Sequence, residues 1–212
     1  IPLRLVGSEM CIRDSSTAGL TALSMFPPAI RRALAIPANN RTGTINDVEH
    51  VVILMQENRS FDMYFGTFKG VRGFGDRITI PLAQNRSVWE QTNGTRVVMP
   101  YHLDSTQGNA QRVSGTPHDY VDAQMAWDGG RMNQWPRYKQ NQSMGYYRQK
   151  EVEFQFALAE AFTLCDAYHC STHGGTNTNR LFHWTGTNDP LAQGNGPSTR
   201  NQWDSLCLLY TS

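Results

Sequence analysis

The run Val51-Val52-Ile53-Leu54-Met55, followed at once by Gln56-Glu57-Asn58-Arg59-Ser60, constrains this chain more than any other stretch. Five apolar residues in a row, β-branched at the front, predict a strand buried on both faces, as in a parallel sheet. Ser60 then suits a helix N-cap and Asp62 the first turn, while Phe61, Tyr64 and Phe65 recur at helical spacing until Gly66. Glu57 and Asn58 therefore fall at a strand's carboxyl end, where open α/β sheets place their ligand sites. A carboxylate beside a carboxamide offers two hard oxygen donors, suited to a divalent cation. A satisfied polar turn explains the same spacing equally well.

A second block spans Phe154 to Thr187. Phe154 to Phe162 predicts an amphipathic helix, and Thr163 to Tyr168 a short buried strand. His173-Gly174-Gly175-Thr176 follows, then a helix through Leu181-Phe182-His183-Trp184. Two glycines allow positive φ and close approach of backbone to a ligand. The helix start would aim free N–H groups at the neighbourhood of Thr176, an arrangement suited to a hydroxyl attacking a phosphate. By spacing alone, Thr176 is more readily a helix cap beside a Gly-rich turn, and Ser171 and Thr172 are the alternative hydroxyls. Between the blocks, Tyr120, Ala123, Gln124 and Trp127 predict a helix opening near His118. The Gly- and Pro-containing stretch from Lys69 to Gly115 predicts excursions and hairpins. Its length suits an active-site cap that Trp89, Tyr101 and His102 would line. Met144-Gly145-Tyr146-Tyr147 is expected to expose its aromatics.

The run Glu57-Asn58-Arg59-Ser60-Phe61-Asp62, with Tyr64-Phe65-Gly66-Thr67 and Gly70 to Phe74, resembles the bacterial phosphoesterase family of phosphocholine-type phospholipases C and acid phosphatases. Gly174-Gly175-Thr176-Asn177-Thr178-Asn179-Arg180-Leu181 resembles that family's nucleophile segment. The resemblance covers about residues 46–190. It implies an alkaline-phosphatase-like α/β fold, a sandwich of helices around a mostly parallel sheet. It also implies roles: Glu57 and Asn58 as ligands of a divalent metal ion of unknown identity, and Thr176 as nucleophile and further metal ligand. His118 is implied near the phosphate, with Gly175, Asn179 and Arg180 around the phosphate loop. The family's remaining ligands, an acidic pair and further histidines, come from a C-terminal half that these residues lack. A truncated sheet, and inactivity of this stretch alone, are expected.

The function so implied is hydrolysis of phosphodiesters, phosphatidylcholine above all, through a covalent phospho-threonine. The substrate is a phospholipid at a membrane surface. An acid phosphatase of the same family, or a non-catalytic choline- or phospholipid-binding module, are the alternatives. Trp127, Trp135 and Tyr146 are candidates to box a quaternary ammonium by cation–π contact.

Length and composition are compatible with this. The 212 residues are enough for one core, and a net charge of +1 with 17% charged residues carries no nucleic-acid footprint. No apolar run approaches the roughly 20 residues of a membrane span. Residues 1–15 and 204–212 resemble translated sequencing-adapter read-through and are set apart from the fold. Residues 16–45 read as an export-signal remnant and linker, with a surface helix near Ile30 to Ala35 as the other reading; 46–203 read as the N-terminal part of the catalytic domain. Export to the periplasm or medium, by the twin-arginine route, is the expectation that follows from the family. Oligomeric state is left open. Cys165 and Cys170 fit neither a zinc framework nor a disulfide scaffold.

Overall fold

The structure is a computed structural model and describes residues 24–56 and 59–186. Its first helix, α1 (Pro28–Leu34), starts with proline at the position where a missing N–H costs nothing. It packs against α5 (Glu153–Ala161) with Ile30 buried. Helix α2 (Phe61–Phe65) forms as its residues predict. The Ser60 Oγ accepts from the Met63 N–H at 3.3 Å, and the Gly66 N–H donates to the Asp62 carbonyl.

The glycines of the following motif are contact residues. A Cβ on Gly73 would lie 2.5 Å from the Gly66 carbonyl oxygen, and the Phe74 N–H donates to that same oxygen at 2.8 Å. Only glycine permits so close a crossing.

The core forms where α2 meets residues 147–156. Met63, Tyr147, Val152 and Phe156 are buried, with Tyr64, Phe65, Phe68 and Leu103 packed on them. Phe65 stacks on Phe156 and Tyr64 meets Tyr147 edge-on at 5.7 Å, geometries that aromatic quadrupoles favour.

The architecture is mixed helix and sheet, an α/β chain with short strands. Strands β1 (Gln91–Thr92) and β2 (Val97–Val98) form an antiparallel hairpin. Strands β3 (Tyr101–His102) and β4 (Gly145–Tyr146) pair in parallel, Tyr101 opposite Gly145. Helix α3 (Tyr120–Trp127) opens two residues after His118. The Asp122 carboxylate accepts from the Asp119 N–H at 2.9 Å, and the helix ends on left-handed Asp128. Helix α4 (Trp135–Tyr138) is tied to the hairpin by buried Gln91, which donates to the Met132 carbonyl and accepts from the Trp135 N–H. Helix α6 (Thr176–Thr185) closes on Gly186 at φ +74°.

Several expectations fail here. Val51 to Met55 is not a buried strand: it pairs with no strand among the described residues, and Val52 is 91% exposed. Thr163 to Tyr168 is mostly exposed, with a single bridge residue at Leu164. A strand exists only with a hydrogen-bonded neighbour, and the described residues offer these segments no ladder. Tyr147 is 3% exposed because β4 carries it under the core. Cys165 and Cys170 are free and exposed.

Candidate functional site

Thr176 is the first residue of α6, behind Gly175 as N-cap. The loop before it is shaped by Asn179, one turn inside the helix. The Asn179 Oδ1 accepts from the N–H groups of Ser171 (3.1 Å) and Thr172 (3.2 Å). Its Nδ2 donates to the carbonyls of Thr172 and Gly175, each at 3.1 Å. A single carboxamide therefore folds residues 171–175 around the start of α6. Neither glycine needs the left-handed region: Gly175 has φ −73° and ψ 174°, and Gly174 also lies outside it. The expected positive φ is replaced by extended backbone that the Asn179 side chain holds in place. Thr178 and Leu181 are buried and root the helix, while Thr176, Asn179 and Arg180 are half-buried.

Helix α3 packs on this loop. The Gln124 Nε2 lies 3.5 Å from the His173 carbonyl, the Trp127 ring meets the His173 ring at 5.3 Å, and Tyr120 faces Gly174. His118 precedes that helix, exposed, its Nδ1 donating to the Thr116 carbonyl at 3.0 Å. The helix introduced by His118 is thus a neighbour of the loop that leads into Thr176, although 58 positions separate the two residues in sequence. Glu57 and Asn58 lie outside the described residues. Among the described residues, no group of three or more His, Cys, Asp or Glu is arranged to hold a metal ion.

Arg59 follows the acid–amide pair and reaches across the fold. Its Nη2 donates to the Val113 carbonyl at 3.1 Å. It lines a cleft of about 510 Å³ with Tyr64, Gln111, Tyr147 and Glu151, a lining that includes neither Thr176 nor His118. Burial opposes ionisation of Glu151. Hydrogen bonds from His102 Nε2 (3.0 Å), the Arg148 N–H and Ser105 outweigh it and hold the carboxyl down at about 2. Asp62 goes the other way: burial pushes it up to about 6, and its Oδ1 is buried with no partner among the described residues. Apart from the local bond between Arg148 and Glu151, these cleft contacts are not visible in sequence, because their partners stand 46 to 54 positions apart.

The expected aromatic box divides among separate contacts. Trp127 meets His173, Tyr146 meets Phe74 and His102, and the Trp135 backbone is held by Gln91.

Residues 48–209 match the Phosphoesterase family. The chain belongs to that family. This phosphoesterase chain is 60% identical over 192 residues to a non-hemolytic phospholipase C of Pseudomonas aeruginosa, covering 90% of the chain and 28% of the relative. It is 47% identical to a non-hemolytic phospholipase C of Burkholderia pseudomallei, over 89% of the chain and 27% of the relative. It is 35% identical to phospholipase C B of Mycobacterium tuberculosis, over 86% of the chain and 37% of the relative. The phosphoesterase chain thus spans about a quarter to two fifths of the length of these relatives. No described helix is long and apolar enough to cross a membrane.

Proposed function

We propose that this chain is the N-terminal part of the catalytic domain of an exported phospholipase C that hydrolyses phosphatidylcholine to diacylglycerol and phosphocholine. In the whole enzyme the domain is an alkaline-phosphatase-like sandwich in which Val51 to Met55 joins a parallel sheet. Export is by the twin-arginine route, and the substrate is met at a membrane surface. The observation that carries the reading is Thr176 at the head of a ten-residue helix, behind a loop held by Asn179 and packed against the helix that His118 introduces.

Thr176 Oγ attacks phosphorus, the bond to the diacylglycerol oxygen breaks, and that oxygen takes up a proton. Water then attacks the phospho-threonine, releases phosphocholine and returns the hydroxyl proton. Backbone N–H groups at the start of α6 face the developing negative charge, and Arg180 borders the same end of the helix. His118 is the group that handles a proton at the phosphate. Gly175 bears on the phosphate through its backbone, and Asn179 by fixing the loop. Glu57, Asn58 and the Thr176 hydroxyl are hard oxygen donors whose chemistry fits a divalent cation. Such an ion supplies neutralisation of phosphoryl charge and a lower pKa for the hydroxyl.

The test is release of p-nitrophenol from p-nitrophenyl-phosphorylcholine by the full-length protein. Thr176→Ala is expected to lower kcat by about three orders of magnitude or more while substrate still binds. Turnover retained in Thr176→Ala rejects Thr176 as the nucleophile. Binding without turnover in the unaltered protein identifies a non-catalytic choline-binding module.

A further inference from the structure

We propose that Arg59 is a positioning residue for His118, tying the segment that carries this histidine to the chain immediately after the Glu57–Asn58 pair. The inference rests on the role given to His118 above.

The tie is the bond from Arg59 Nη2 to the Val113 carbonyl, 3.1 Å long across 54 positions. It is one of three pins on the same short stretch. The Tyr147 hydroxyl donates to the Ala110 carbonyl at 3.1 Å, and the Gln111 Nε2 donates to the Glu151 carbonyl at 3.2 Å. The body that holds these pins is rigid by packing. Tyr147 is buried, and its N–H donates to the Met63 carbonyl at 2.7 Å. Glu151 is buried and bonded by His102, Ser105 and the Arg148 N–H. Residues 110–113 therefore cannot drift relative to α2, which itself starts two residues after Arg59.

From Val113, four residues lead to His118, and the last of them is Pro117. Proline fixes its own φ and restricts Thr116 to extended backbone. Ser114 and Gly115 stand between the pin and this restricted pair, so the tie reaches His118 through a link of four residues. Beyond His118, α3 rests on the 171–175 loop through Tyr120, Gln124 and Trp127. His118 is thus held from two sides: upstream by the Arg59 pin and downstream by contact with the Thr176 loop.

The geometry also favours arginine over lysine at this position. The guanidinium bonds the Val113 carbonyl while its charge counters, at the Tyr147 phenol, the upward push that burial exerts on that group. A planar fork can serve two such neighbours at once, whereas an ammonium is a single point charge.

The test is a double-mutant cycle on p-nitrophenyl-phosphorylcholine turnover in the full-length protein, using Arg59→Ala, His118→Ala and both together. Arg59→Ala is expected to lower kcat about 100-fold, the scale of a displacement near 1 Å, with KM changed little. Arg59→Lys is expected to recover part of the loss. In the His118→Ala background the same Arg59→Ala change is expected to cost less than about 3-fold, because coupled residues are not additive. Thermal melts report folding. If Arg59→Ala does not fold, Arg59→Lys replaces it in the cycle with the same sign of coupling required. An equal cost of the Arg59 change in both backgrounds, or no cost in either, overturns the inference and leaves the reading of His118 intact. Turnover unchanged in His118→Ala alone overturns that reading and the inference with it.

Discussion

Asn179 uses both ends of its carboxamide on one loop: the oxygen accepts from Ser171 and Thr172, and the nitrogen donates to Thr172 and Gly175. Removing the group takes the side-chain acceptor from the Ser171 and Thr172 N–H groups, while the Thr172 and Gly175 carbonyls keep the backbone N–H groups of Gly174 and Asn179. The loss belongs to the scale of about 1–3 kcal/mol for unsatisfied polar groups. We expect Asn179→Ala to lower the urea midpoint by a corresponding amount and to open residues 171–175 to protease before the rest of the chain unfolds. Cleavage in that loop at the wild-type rate would show that the clamp does not hold it. The same loop sets the direction of the N–H groups that the proposed mechanism turns towards a phosphate. Sequence marked Asn179 through its motif, but its hydrogen-bond partners emerged only once the loop had a shape.

At the scale of elements, α2 and the turn at 149–151 hold oppositely perturbed carboxyls. The folded pKa of Asp62 is raised to about 6 by burial. Its contribution is fully present below the ordinary Asp value of 3.8 and is lost as pH rises through about 6. Glu151 is lowered to about 2, burial being outweighed by the bonds from His102, Arg148 and Ser105. Its contribution is present above the ordinary value of 4.5 and is lost as pH falls towards about 2. Stability should therefore peak between these windows, near pH 4 to 5, as followed by thermal melts across pH 2.5 to 7.5. Asp62→Asn should raise stability at pH 7 by at most about 3 kcal/mol and change it little at pH 4. An equal gain at both pH values would mean that Asp62 does not titrate on unfolding. The first turn of α2 shows why such things are unevenly legible. Ser60, Asp62 and Gly66 announce the helix because caps and stops act within four residues. The folding back of Gly73 and Phe74 over Gly66, and the burial of Asp62, are recorded by no such local signal. The same contrast separates α3, α5 and α6, whose starts fall within two residues of their expected places, from the strands. Strands are made by partners elsewhere in the chain, and the parallel pair β3–β4 joins residues 44 positions apart.

At the scale of the whole molecule, the apolar run that most constrained the sequence is the part the described fold leaves uncovered. Val51, Val52 and Leu54 are 76%, 91% and 81% exposed, with no ladder partner among the described residues. An unpaired run of this kind is a template for pairing with another chain. Two contexts then give opposite expectations for Val52→Lys. In this chain alone, the substitution touches nothing and should leave the melting temperature within the scatter of surface changes, about 0.5 kcal/mol. It should also suppress concentration-dependent light scattering, because a lysine on an open edge discourages pairing. In the full-length protein, the proposed sheet would bury the same position on both faces, and an unpaired ammonium there should cost several kcal/mol. A full-length Val52→Lys protein that melts with the wild type would place the segment at a surface. The sheet would then have to be built from other strands, and the acid–amide pair would no longer stand at a buried strand's end.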